Sequence, residues 1–205
     1  VYITRHGKGT VVKVSPAGKV LREIDVLVTK PSNICFGGPD GRTAYATLQE
    51  NNALAVVDLP QGKVRSIVAL GEKDHATSPL DASDRDDAIN IKPWPGVFGM
   101  YQPDQAATFT ADGETYIVTA NEGDAREYDG FEEEERAEDV ADTGVIPAAA
   151  DPTQLGRLTV TTAQPSTASP PTPAGQTELY AFGARSFSIW DSEGNQVWDS
   201  GDMLE

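Results

Sequence analysis

Apolar and polar positions along this chain alternate with a period near two, the spacing of strands whose faces differ, rather than the 3.6 of a helix. Val11-Val12-Lys13-Val14, Ala55-Val56-Val57-Asp58 and Phe187-Ser188-Ile189-Trp190 each run into a short turn ending in glycine, and each leaves it on a second strand. The turns close on Gly18, Gly62 and Gly194, where a hairpin calls for a residue tolerant of positive φ. Gly18 and Gly62 lie 44 residues apart, close to the roughly 40–45 residues of one propeller blade. A second element precedes the hairpins. Asp40-Gly41-Arg42-Thr43-Ala44-Tyr45-Ala46-Thr47 recurs as Asp112-Gly113-Glu114-Thr115-Tyr116-Ile117-Val118-Thr119, with a weaker copy at Glu178–Phe182 and a truncated one at Val1–Thr4.

One blade can be written strand by strand, over 32–37, 43–48, 53–59 and 63–70. A later one begins over 105–110 and 114–121 and is expected to continue at 156–162, and the last hairpins occupy 178–200. The pattern predicts an all-β fold, a partial β-propeller of about three to four four-stranded antiparallel blades. Its expected segments are a first blade over 1–47, a second over 48–71, an acidic insertion over 72–104, a blade over 105–163 interrupted by an acidic insertion at 121–155, a flexible loop over 164–177 and a last blade over 178–205. Closed propellers use about four to eight blades, so the expected assembly is a homo-oligomer completing the propeller or its edges.

Charge alters the picture more than composition does. Thirty-two carboxylates face sixteen Lys and Arg, a net charge of −16. Such a surface repels phosphate backbones and anionic headgroups, which excludes nucleic-acid binding and favours cations or cationic partners. No apolar run has transmembrane length, so no membrane insertion is expected. The lone Cys35 lies in an apolar strand and reads as a buried small hydrophobe. The chain opens inside a strand, without a signal peptide.

The acidic residues concentrate in the two insertions. Asp81, Asp84, Asp86 and Asp87 fall within seven residues on an expected loop, and calcium takes six to eight oxygen ligands. The regular calcium-loop pattern is not met, because Ser83 and Arg85 occupy ligand positions and Asp86 replaces the glycine. A solvated acidic loop is the competing reading. Asn121, Glu122, Asp124, Glu127 and Asp129 follow the end of a strand, where a divalent cation or Arg126 would relieve their crowding. Glu132–Glu135 read as the exposed start of a helix. For catalysis, the candidates are Asp124 and His75, which stands beside Asp74; a surface histidine is the simpler expectation. No Ser-His-Asp motif, zinc-type spacing or phosphate loop is present. Trp94, Trp190 and Trp198 read as packing aromatics.

Two stretches also carry a family likeness. Gly7–Pro16 and Lys30–Asp40 resemble a late blade of the gluconolactonase (senescence-marker-protein) family, calcium-dependent lactonase propellers, over residues 1–47. Leu48–Asp58, Phe98–Asp104, Thr119–Arg126 and Glu178–Trp190 resemble the secreted bacterial propellers called choice-of-anchor I proteins, some described as alkaline-phosphatase-like. The seam falls in Asp40–Thr47, and no lactonase ligand carries over onto a residue of this sequence. The resemblance implies a divalent-cation-binding module for binding or surface display, extracellular or periplasmic, with calcium as its ion. The alternative is a metal-dependent hydrolase of phosphate esters or lactones, with a small-molecule ester as substrate.

Overall fold

The three repeated hairpins fold alike. Thr10–Val14 pairs with Val20–Asp25, Ala53–Asp58 with Lys63–Ala69, and Ser186–Asp191 with Gln196–Asp199. Each pair carries a register shift shortly before its glycine, between Lys13 and Val14, Val56 and Val57, and Ile189 and Trp190. The side chains of Ser15, Asp58 and Asp191 accept backbone N–H groups across the turns. Gly18, Gly62 and Gly194 all have positive φ, and a Cβ on Gly194 would stand 2.6 Å from Val68 Cγ1.

The computed structural model describes residues 1–165 and 167–205; Ser166, within the segment expected to be a flexible loop, lies outside the described residues. Two units emerge, one of Val1–Gly71, Gln102–Asp124 and Ser186–Ser200, the other of Glu72–Tyr101, Ala125–Arg185 and Gly201–Glu205.

The first unit is built of three antiparallel sheets. Tyr2–Arg5 joins the first hairpin in a three-stranded sheet. Ile34–Gly37, Thr43–Leu48, Ala53–Asp58 and Lys63–Ala69 form a four-stranded meander, the form of a propeller blade. Gln105–Ala111, Glu114–Asn121, Ser186–Asp191 and Gln196–Asp199 form another four-stranded sheet. The all-β fold class follows the sequence expectation. Alternate residues of the second sheet's central strands, Ala44, Ala46, Leu48, Ala53, Ala55 and Val57, pack with Val11, Ile24 and Val26 of the first hairpin and its following loop. Small side chains let the sheets approach closely. The opposite face is buried too, at Tyr45, Thr47, Leu54 and Val56. There Thr47 Oγ1 donates to the Asp104 carbonyl, Asn33 Oδ1 accepts from Ala106 N, and Thr108 Oγ1 donates to the Phe36 carbonyl. Cys35 is buried with its thiol pushed up to about 12 by burial, which leaves it inert.

The second unit departs from the repeat. Its main sheet has five strands in the order Glu134–Arg136, Thr159–Thr161, Leu179–Ala181, Val97–Met100 and Glu72–Asp74. Leu179–Ala181 and Val97–Met100 run parallel. The strand expected over 156–162 therefore pairs with Glu134–Arg136 and Leu179–Ala181, while Ser186–Asp191 extends the sheet begun at 105–121. The helix expected at Glu132–Glu135 is displaced. Phe131–Glu132 and Glu134–Arg136 are strands, and a single turn of helix follows at Ala137–Val140 with Glu138 and Asp139 in its first turn. Leu80, Trp94, Val97, Ala137, Ile146, Leu155, Val160 and Leu179 make this unit's own core. Residues of the 164–177 segment are tied to it, Gln176 bridging Ala141 and Ser169 N donating to Glu178. Trp94 and Trp190 are buried as expected; Trp198 is 41% exposed and lies against Phe187.

Candidate functional site

In the first unit, the strand Glu114–Asn121 ends in a turn fixed from several directions. Asn121 is 2% exposed. Its amide donates to the hydroxyls of Ser186 and Ser188, and its oxygen accepts from Thr119. Trp190 Nε1 donates to the Thr119 hydroxyl, while Ser186 and Ser188 donate to Asp199. A fully satisfied buried network of this kind rigidifies a sheet, and it absorbs the Asn121 amide that the sequence offered as a cation ligand. Glu122 accepts from Gln49 at 2.9 Å. Gln102 donates its side-chain amide to the Asp124 carbonyl at 2.8 Å, and its backbone N donates to Asn52 Oδ1. Three sequence stretches with a family likeness thus contribute Gln49 and Asn52, Gln102, and Asn121 to Asp124. The Glu122 and Asp124 side chains face solvent.

The remaining members of that acidic group, Glu127 and Asp129, belong to the second unit, exposed on the hairpin formed by Glu127–Tyr128 and Phe131–Glu132. Arg126 does compensate a carboxylate, but it is that of Glu133. Its Nε and Nη2 each lie 2.9 Å from the Glu133 oxygens, and Thr161 adds a hydrogen bond. Burial pushes the Glu133 carboxyl up, yet Arg126 and Thr161 outweigh it and hold the group below its usual range.

The second unit also contains a cavity of about 710 Å³ whose walls include His75, Asp81, Ser83, Asp84, Arg136, Arg157 and Arg185. His75 is 1% exposed, which corrects the expectation of a surface histidine. Its Nδ1 lies 2.9 Å from the Ser78 carbonyl, which can only accept, so Nδ1 carries the proton and Nε2 is the acceptor. Burial lowers its pKa, Ser78 and Asp74 oppose this, and Lys73 and Arg185 reinforce it. Gly99 leaves room for the ring, since a Cβ there would stand 2.9 Å from Nε2 and from the Gly183 carbonyl.

The aspartates of the 81–87 loop do not converge. Asp84 is exposed and pairs with Arg157 at 3.1 Å, a hydrogen bond that lowers its pKa. Asp86 accepts from Asn90 and Ala88 within its own loop, and Asp87 is exposed with φ 52°. Asp81 alone turns inward. Its Oδ2 accepts from Asn90 N and its N donates to Glu205 Oε2. Among the described residues, no group of three or more His, Cys, Asp and Glu side chains is placed to hold a metal ion. Sequence reasoning assigned no site role to Arg136, Arg157, Arg185 or Glu205, and it read Glu133 only as part of a helix start. Arg185 lay in a stretch of family likeness and Arg157 in an expected strand, whereas nothing near Glu205 signalled its burial.

Blade-type sheets joined to an inserted acidic unit define a propeller-type module. The profile described as Choice-of-anchor I domain matches residues 30–205, and the chain belongs to that family. The profile described as SMP-30/Gluconolactonase/LRE-like region matches residues 1–50, and the seam expected at Asp40–Thr47 falls where the two overlap. No curated protein matches. Among solved structures the chain is similar to hydrazine synthase of Kuenenia stuttgartiensis, at 14% identity and TM-score 0.35, with 97% of this chain and 44% of that one covered. It is also similar to the Pan2 WD40 domain of Neurospora crassa, at 10% identity and TM-score 0.30, with 98% and 51% covered. The chain thus spans about half the length of these structures. No helix among the described residues is long and apolar enough to cross a membrane.

Proposed function

We propose that this chain is a secreted, divalent-cation-binding propeller module that serves binding or surface display outside the cytoplasm. Family membership and the net charge of −16 support it. The observation that carries the choice of module over enzyme is the state of the cavity's three arginines. Arg157 is engaged by Asp84, Arg185 by Glu205, and Arg136 by the Arg157 carbonyl and the Thr159 hydroxyl. An esterase needs a cation or N–H donor aimed at the developing oxyanion, and these guanidiniums are already committed.

One observation favours the hydrolase reading. His75 Nε2 is an unprotonated nitrogen on a residue that lines a cavity, a starting point for general-base catalysis. Hydrolysis of a chromogenic phosphate monoester and of a simple lactone, with and without chelator, separates the two. We expect no turnover above buffer. Turnover abolished by chelation and by His75→Asn would establish the hydrolase instead.

A further inference from the structure

The inner wall behind the 81–87 loop holds a contradiction that neither acidic insertion shows elsewhere. Asp81 and Glu205 come together from 124 positions apart, the Asp81 N–H donating to Glu205 Oε2 at 3.3 Å. The Glu205 side chain is 1% exposed. Arg185 bridges the pair, Nη2 lying 3.0 Å from Glu205 Oε2 and Nη1 donating to the Asp81 carbonyl at 2.9 Å. Two oxygens remain over. Asp81 Oδ1 and Glu205 Oε1 are both buried and both without a hydrogen-bond partner. Buried carboxylate oxygens without partners are rare because each forfeits its hydration for nothing. Here two occur on residues joined by a hydrogen bond, and the one guanidinium at hand pairs with the Glu205 carboxylate and with the Asp81 backbone carbonyl, not with the Asp81 carboxylate.

We propose that Asp81 Oδ1 and Glu205 Oε1 are ligands of one hard divalent cation of the calcium type, its remaining coordination supplied by water and backbone carbonyls. The inference rests on the cation-binding reading above and locates the ion. Oxygen-only donors, two of them carboxylate, suit calcium or magnesium and not a thiolate- or imidazole-seeking metal. The other aspartates of the loop are spent on Arg157, Asn90 and solvent, and so remain outside the site. Trp94 stands close by, its indole N–H donating to the carbonyl of Leu80, the residue before Asp81.

The test uses the 205-residue chain stripped with chelator and titrated with calcium by calorimetry and thermal melting, and with terbium read through tryptophan-sensitised emission. We expect one ion per chain, a melting temperature that rises with calcium, and emission that Trp94→Phe removes. Asp81→Asn and Glu205→Gln should each weaken binding by about tenfold or more, while Asp139→Asn leaves it unchanged. Because either variant could lose its fold, the terbium arm with Trp94→Phe stands as an independent readout of position. Calcium binding that survives Glu205→Gln and is lost in Asp86→Asn or Asp124→Asn would overturn this location while leaving the cation reading intact. No calcium heat and no melting shift in the parent would overturn both.

Discussion

The meander Ile34–Ala69 and the mixed sheet of the second unit solve the same problem, burying two central strands, by opposite means. In the meander each strand pairs with the next one along the chain, across links of a few residues. In the mixed sheet Val97–Met100 pairs with Leu179–Ala181, some eighty residues later and in parallel. The first arrangement forms from local contacts; the second must close long loops before any pairing energy returns. The polar interiors differ as well. Around Asn121 the first unit uses hydroxyls that donate onward to the Asp199 carboxylate, whereas the second unit pairs Glu133 directly with Arg126. The meander is thus set by neighbours in the chain, and the mixed sheet by segments far apart in it.

The strongest way to break this comparison is to open a hole in each core. Leu48→Ala in the first unit and Leu155→Ala in the second remove side chains at most 1% exposed, and each should cost about 2–5 kcal/mol. Hydrogen exchange should then lose protection mainly in the unit that carries the substitution. Equal loss in both units after Leu155→Ala would mean that they unfold as one block.

A smaller effect is expected from Glu133→Gln, which leaves Arg126 facing a neutral partner. With Glu133 buried and Arg126 partly exposed, the loss should be about 2 kcal/mol in urea unfolding. Because the folded carboxyl is held below its unfolded value, its contribution is complete above about pH 4.5 and disappears as pH falls through the folded value. The variant should therefore lose part of the parent's acid sensitivity.

The smallest effect concerns His75. Its folded pKa lies below the ordinary 6.5, so on acidification the unfolded chain takes up the proton first, and stability declines as pH drops below about 6.5. His75→Asn should flatten the slope between neutrality and pH 5. An unchanged slope would show that the ring does not resist protonation.

The strands of the first unit were legible because each side of a hairpin lies next to its partner in the chain, and Gly18, Gly62 and Gly194 mark the turns. The second unit was not, since its strands are three or four residues long and pair with distant segments, leaving no periodicity to read. Glu132–Glu135 illustrate the failure. An acidic run ahead of Ala137 reads as a helix start, yet Glu133 is drawn inward by Arg126 and Thr161, and the flanking residues become strand. Among the candidate residues, Asp81 was picked for its neighbours in sequence, whereas its structural partner is Glu205.

The network around Asn121 carries a consequence for how the protein is made. Its partners Ser186, Ser188 and Trp190 lie 65 to 71 positions downstream. On a ribosome adding about 5–20 residues per second, the hairpin Gln105–Asn121 emerges roughly 3–14 seconds before the strand that covers its outer edge. During that interval the edge is open to strangers, and most of the second unit is synthesised in the meantime. Rapid collapse of that insert would shorten the vulnerable period only by bringing Ser186 home sooner, so the yield of correctly folded chain should depend on translation speed across residues 125–185.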